Sequence, residues 1–196
     1  MSRNVEIEFK NILRKDEFLA FMRFLNIREC DFTEQVNHYF DTPEFSLKSK
    51  GSALRVREKN GSFEITLKQP HPEGLLETNE QITESEAQEM LATGKILSKQ
   101  IRHTIKQMDV DTDKLQYFGS LSTARAEIEY LNGLAVLDHS RYLNQEDFEI
   151  EYEVKNREEG EINFYKMLKE LNIPVRKTEN KIKRFYNEKY RQQKET

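Results

Sequence analysis

Six residues near the start, Val5–Glu6–Ile7–Glu8–Phe9–Lys10, alternate apolar and charged without a break. The same alternation returns at Leu54–Arg55–Val56–Arg57, at Phe63–Glu64–Ile65–Thr66–Leu67–Lys68, from Ala124 to Tyr130 and from Phe148 to Val154. Successive side chains of a strand point to opposite faces, so each run puts its apolar residues on one side and its charges on the other. One such run is an ordinary half-solvated strand. Repeated along the chain, the design demands a sheet with one apolar face to be covered and one face that collects charges of both signs.

The intervening stretches supply the cover. After Arg14, Phe18, Phe21, Met22 and Leu25 recur at helical spacing up to Ile27. A strand over Gln35–Asp41 is stopped by Thr42–Pro43, Asn60–Gly61 marks a two-residue hairpin, Pro70 and Pro72 close the return strand, and Leu75–Ile82 reads as another strand. Thr83 followed by Glu86 has the form of a capping box. It opens two helices, broken at Gly94, that carry Ala87, Met90, Leu91, Ile96, Leu97, Ile101 and Ile105. A turn at Asn132–Gly133 leads into a strand over Leu134–Tyr142, in which Glu or Asp at alternate positions is not obvious. Ile162, Tyr165, Leu168 and Leu171 give a helix from Glu159 its apolar side, and a basic helical tail contains Lys181, Lys183 and Arg184. The expected class is α+β, one domain over residues 1–196.

Charged residues make up 34% of the 196, but 12 Phe and 8 Tyr exclude a disordered polyampholyte. The net charge of −4 mixes 31 basic with 35 acidic residues, so no nucleic-acid footprint is expected. A single cysteine, Cys30, excludes an internal disulfide and a thiolate metal cluster, and is expected to be buried or half-buried. His38, His71, His103 and His139 lack metal-ligand spacing and read as structural or surface residues. No apolar run is long enough for a membrane span, and Met1–Ser2–Arg3–Asn4 leads into a strand without a signal-peptide core, so a cytoplasmic protein is expected.

The charged faces carry Glu6, Glu8, Lys10, Arg55, Arg57, Lys68, Arg125, Glu127, Glu129, Glu149, Glu151 and Glu153. Periodicity alone fits an open sheet or a closed barrel. About eight strands and so selective a polar set favour closure, with the charges lining a lumen and the helices outside. Carboxylates two residues apart on a strand lie ~6.7 Å apart and repel by roughly 2.5 kcal/mol at an effective dielectric near ~20. Glu6 and Glu8 with Glu149 and Glu151 therefore call for a hard divalent cation, Mg²⁺ or Mn²⁺. Arg55, Arg57, Lys10, Lys68 and Arg125 offer the opposite partner, an oxygen-rich anion for which phosphate is the natural match. No G-x-x-x-x-G-K-[ST] loop is present.

Glu6-x-Glu8-x-Lys10, Tyr39–Phe40–Asp41–Thr42–Pro43, Leu54–Arg55–Val56–Arg57, Thr66–Leu67–Lys68, Arg125-x-Glu127, Leu137–Asp138, Glu149-x-Glu151 and Lys181 occur in that order. Together they resemble the CYTH, or triphosphate tunnel metalloenzyme, family over nearly the whole chain, and more narrowly its single-domain bacterial members. The resemblance implies an eight-stranded antiparallel tunnel and metal-dependent hydrolysis of inorganic triphosphate or a small organic triphosphate. It implies Glu6, Glu8, Arg57, Lys68 and Arg125 as catalytic. Lys10, Arg55, Arg57, Lys68, Arg125 and Lys181 would bind substrate, and Glu6, Glu8, Asp138, Glu149 and Glu151 would hold metal, with Glu129 as a further ligand candidate and Glu153 at the tunnel mouth. An adenylyl cyclase of the class IV type and a non-catalytic polyphosphate or nucleotide binder are the alternatives. The expected partner is a small-molecule triphosphate, without nucleic acid or membrane; oligomeric state is left open.

Overall fold

The computed structural model describes residues 1–194. Its strands are β1 (Ser2–Leu13), β2 (Thr33–Asp41), β3 (Ala53–Lys59), β4 (Ser62–His71), β5 (Gly74–Ile82), β6 (Gln116–Tyr130), β7 (Gly133–Tyr142) and β8 (Gln145–Val154). They close into an antiparallel barrel in the order β1-β5-β4-β3-β2-β6-β7-β8. The helices are α1 (Lys15–Phe24), the single turn α2 (Ser46–Ser49), α3 (Glu84–Thr93), α4 (Lys99–Gln107), α5 (Arg157–Glu170) and α6 (Lys181–Lys194). Among the described residues no helix is long and apolar enough to cross a membrane. The chain forms two compact units, Met1–Val5 with Gln35–Leu121 and Glu6–Glu34 with Ser122–Thr196.

In the first unit, the apolar faces of β3 and β4 bury Leu54, Val56, Ile65 and Leu67 against Ala87 and Met90 of α3 and Ile101 and Ile105 of α4. Thr83 caps α3 as its sequence predicts: its hydroxyl accepts from the Glu86 amide and Glu86 accepts from the Thr83 amide at 2.7 Å. Gly94 ends that helix in the left-handed region, φ 74°. Asn60 and Gly61 both have positive φ and form the expected tight turn between β3 and β4. Asp41, part of the motif behind the family resemblance, is a knot: Oδ1 accepts from Thr42 and Leu47 amides and Oδ2 from Lys48, fixing α2 at the end of β2.

In the second unit, Phe18 and Phe21 of α1, Leu25 just after it, and Phe164, Met167 and Leu168 of α5 pack on Ala126, Ala135, Leu137, Phe148, Ile150 and Tyr152. Several expectations need correction here. The β6–β7 turn is Leu131–Asn132, both outside the strands, and Gly133 already belongs to β7. A Cβ on Gly133 would come within 2.6 Å of the Tyr152 ring, so the glycine serves close packing. Helix α5 is rotated from the expected face: Gly160 is buried, whereas Ile162 is 68% exposed and Tyr165 is also exposed. A Cβ on Gly160 would meet Val154 at 2.5 Å, so the small residue sets which side of α5 lies on the sheet. Pro70 lies within β4, near the strand's end, and Cys30 is exposed.

Candidate active site

Register places the charged residues of the second unit in cross-strand rows. Arg125 faces Asp138, and Asp138 faces Glu149. The next row joins Glu127, Val136, Glu151 and Lys10, and the one after it Glu129, Leu134, Glu153 and Glu8. All lie on the face opposite the apolar cluster, since residues two apart along a strand share a face.

Arg125 grips Asp138 with two hydrogen bonds, Nε to Oδ1 at 2.8 Å and Nη2 to Oδ2 at 2.6 Å, and donates to Glu151 Oε2 at 2.7 Å. From the start of α6, Lys181 Nζ reaches Glu151 at 2.5 Å, Asp138 at 2.9 Å and Glu149 at 3.1 Å. Arg184, one helical turn further along, donates to Glu149 Oε2 at 2.5 Å and to Asp147 Oδ2 at 2.8 Å. Lys10 pairs with Glu8. Burial opposes charge on Asp138 and Glu151, but Arg125 and Lys181 overcome it and hold both carboxyls below the usual range, Glu151 well below. Burial likewise opposes charge on Arg125 and Lys181, and their carboxylate neighbours raise both well above their ordinary values.

Glu153 behaves oppositely. Burial, with the neighbouring negative charges of Glu6, Glu151 and Glu8, pushes it up to about 7 despite Arg125. A folded carboxyl raised above its unfolded value contributes its stability below the unfolded pKa and loses it as pH rises through the folded one. Glu153→Gln is therefore expected to stabilise the metal-free protein by roughly 1–2 kcal/mol at about pH 8 and by nothing at about pH 4. Urea unfolding in EDTA at the two pH values checks this, and equal effects at both would contradict it.

The first unit carries the more basic face. Arg55 lies opposite Tyr39 and Thr66, Arg57 opposite Asn37 and Glu64, and Lys68 opposite Ala53 and Glu77. Arg57 Nε donates to Asn37 Oδ1 at 3.1 Å, and Lys68 pairs with Glu77. Register settles the phase of β5: Glu77 shares the face of Lys68, and Glu80 points the other way to accept from the Ser98 hydroxyl at 2.6 Å. Among the described residues, Arg55 Nε and Thr66 Oγ1 are buried without a hydrogen-bond partner. An unsatisfied buried donor costs about 1–3 kcal/mol, and more for a charged group. These neighbouring positions suit an oxyanion.

Carboxylate oxygen is the right donor chemistry for a hard divalent ion. Glu149 Oε1 is buried with no partner among the described residues, and Glu6, Glu8, Glu151 and Glu153 concentrate negative charge. The residues thus fit a cation, although no three His, Cys, Asp or Glu side chains among the described residues form a ready-made ligand cluster. Asp138, Glu149 and Glu151 meet Lys and Arg instead.

Arg125, Asp138, Glu149, Glu151 and Lys181 are brought into one network as the sequence suggests, and Glu6, Glu8 and Lys10 share the β1 face beside it. Glu127 and Glu129 are exposed. Arg184, Asp147, Thr66, Glu77 and Asn37 are not among the site residues expected from the sequence; the parity of Asp147 with Glu149 and of Thr66 with Lys68 is the signal that could find two of them. His38 donates to or accepts from Ser120 at 2.6 Å and His139 stacks on Phe148 at 4.4 Å, both structural roles.

A family model described as the CYTH domain matches residues 4–186. The chain belongs to the CYTH domain family. Among relatives, this CYTH chain is 51% identical over 189 residues to a Bacillus subtilis (strain 168) protein provisionally named a triphosphatase, YjbK, covering 96% of the chain and 98% of that protein. A Bacillus halodurans crystal structure, provisionally described as an adenylate cyclase, superposes with a TM-score of 0.91 at 44% identity, covering 95% of the CYTH chain and 100% of that one. A Hippeastrum protein, HpAC1, described as a provisional adenylyl cyclase with dominant triphosphatase activity, shares the fold at a TM-score of 0.78 and 24% identity, covering 93% and 95%.

Proposed function

We propose that this chain, as one CYTH domain over residues 1–196, hydrolyses a small triphosphate with the help of Mg²⁺ or Mn²⁺ in the cytoplasm. The observation that carries the reading is the unsatisfied pair Arg55 Nε and Thr66 Oγ1 beside Arg57 and Lys68, a set of donors suited to phosphate oxygens. The 51% identity to a protein provisionally named a triphosphatase supports it. The helices pack on the apolar strand faces, so the polar faces are assigned to the lumen of the closed barrel.

Arg55, Arg57 and Lys68, with Lys10, Arg125 and Lys181, bind the phosphate oxygens and offset the negative charge that grows on them in the transition state. Glu6, Glu8, Asp138, Glu149 and Glu151 are the residues that would hold metal, and a divalent ion there supplies charge neutralisation and orientation of the phosphates. Lys181 and Arg184 hold the carboxylates of β7 and β8 in place. Attack by water on the terminal phosphorus releases orthophosphate.

The description of the 44% identical Bacillus halodurans protein favours a second reading, cyclisation of ATP. Product analysis separates the two. With inorganic triphosphate, ATP and thiamine triphosphate supplied in parallel, orthophosphate release with Mg²⁺ or Mn²⁺ and none in EDTA is expected. Cyclic AMP with pyrophosphate from ATP would replace hydrolysis by the cyclase reading, and binding without turnover would leave only a binder.

A further inference from the structure

We propose that Arg176, on the strap between α5 and α6, is a positioning residue that holds Lys181 at the carboxylates of β7 and β8 and so supports triphosphate turnover. The proposal rests on the triphosphate reading above and adds a residue that acts on the reaction through another.

Asn11 breaks the apolar face of β1. It shares the parity of Ile7 and Phe9, yet it is polar and has no solvent exposure. Glu17 of α1 is buried as well. Burying such groups is costly unless they are hydrogen-bonded, and both find partners on residues 174–178. Asn11 Oδ1 accepts from the Arg176 amide at 2.6 Å, and its Nδ2 donates to the Pro174 carbonyl at 3.2 Å. Glu17 takes the Arg176 guanidinium in a bidentate grip, Nη1 to Oε2 at 2.7 Å and Nη2 to Oε1 at 2.8 Å. Nη1 also donates to the Ile12 carbonyl at 3.0 Å, and the Ile12 amide donates to Thr178 Oγ1 at 2.7 Å. The strap is thus tied to the end of β1 and the first turn of α1.

Three residues after Thr178, Lys181 opens α6 and meets Asp138, Glu149 and Glu151. Three residues span at most ~11 Å even when fully extended, so the anchors limit where Lys181 can sit. The helix does not fix its own start. Its first turn carries Lys181 and Lys183 and no acidic residue, an arrangement that the helix dipole disfavours. Placement of that turn therefore depends on contacts from outside the helix: the carboxylates ahead of it and the anchored strap behind it. When Lys181 turns from the carboxylates to a phosphate oxygen, the strap keeps its backbone in place.

Hydrogen exchange in EDTA and kcat/KM for inorganic triphosphate test the assignment on wild type, Arg176→Met, Thr178→Val, Lys181→Met and the double variant of Arg176→Met with Lys181→Met. In Arg176→Met the Arg14 guanidinium, 3.1 Å from Glu17, remains as its counter-ion, and Thr178→Val removes an anchor without baring a charge. The Lys183 and Arg184 amides donate to the Asn180 carbonyl at 2.8 and 3.1 Å. They are expected to exchange about tenfold faster in both strap variants, with the β8 amides at wild-type rates. Arg176→Met and Lys181→Met are each expected to lower kcat/KM about tenfold or more, and the double variant no further than Lys181→Met alone. Unchanged α6 amides, matching acceleration in β8 in both strap variants, or losses that multiply in the double variant would overturn the positioning role and leave the triphosphate reading intact. A wild type that turns over no triphosphate would overturn that reading, and the exchange rates would still decide whether Arg176 holds the start of α6.

Discussion

Arg125→Ala is expected to destabilise the protein by about 3–5 kcal/mol near neutral pH, the cost of leaving buried carboxylates without their partner. Asp138 has no solvent exposure and Glu151 very little, and Arg125 bonds to both. Lys181 would then be left as the direct partner of Asp138 and Glu151, with Glu149 shared between it and Arg184. The pH dependence has a definite sign. Asp138 and Glu151 are held below their unfolded pKa values, so the wild type's advantage is present above those values and fades as pH falls and the carboxylates protonate. Denaturant unfolding should therefore show the gap between wild type and variant largely held from neutral pH to about pH 5 and narrowing as pH falls below about pH 4. A gap that is small or independent of pH would mean that the network contributes little as a charge pair.

Gly94→Ala should cost about 3 kcal/mol or more, for two reasons acting together. The residue occupies φ 74° at the end of α3, where a Cβ is strained. That Cβ would also lie 1.8 Å from the Leu115 carbonyl oxygen, a backbone atom that cannot rotate away. Either α3 or the segment before β6 must move, disturbing Met90, Ile96 and Leu115 in the same apolar cluster. Thermal unfolding of the variant checks this, with Gly61→Ala as a control: that position has a similar φ, 72°, but nothing within 4 Å of the added atom. Equal losses at both positions would show that conformation alone, without the clash, sets the cost.

The strands are legible because a two-residue period cannot be mistaken for a helix when charges and apolar residues alternate as strictly as in Val5–Lys10 and Phe148–Val154, and their number and selective charges favour closure. Where alternation lapses, so did the reading. The first half of β6, Gln116–Thr123, mixes aromatic, glycine and small polar residues and carries no strand period. Apolar spacing places Ile162 and Tyr165 of α5 inward, because hydrophobicity alone cannot weigh the close approach of Gly160 to Val154. Site residues followed the same division. Arg125 and Glu151 announce themselves by charge and parity. Arg184 does not, since on a basic helix its bonds to Asp147 and Glu149 depend on how α6 lies against the strands. Thr66 looks like any small polar residue until its buried hydroxyl is found without a partner.

The central claim is that the basic polar face of β3 and β4 binds and activates a triphosphate, and kcat/KM for inorganic triphosphate in wild type and Arg57→Ala tests it most directly. Arg57 is fixed by Asn37 at 3.1 Å and lies on the same strand face as Arg55. Losing a preorganised cation that faces growing negative charge should lower kcat/KM by about 100-fold or more, with thermal stability close to wild type. Near-normal turnover in a folded Arg57→Ala protein would place the chemistry elsewhere and contradict the account.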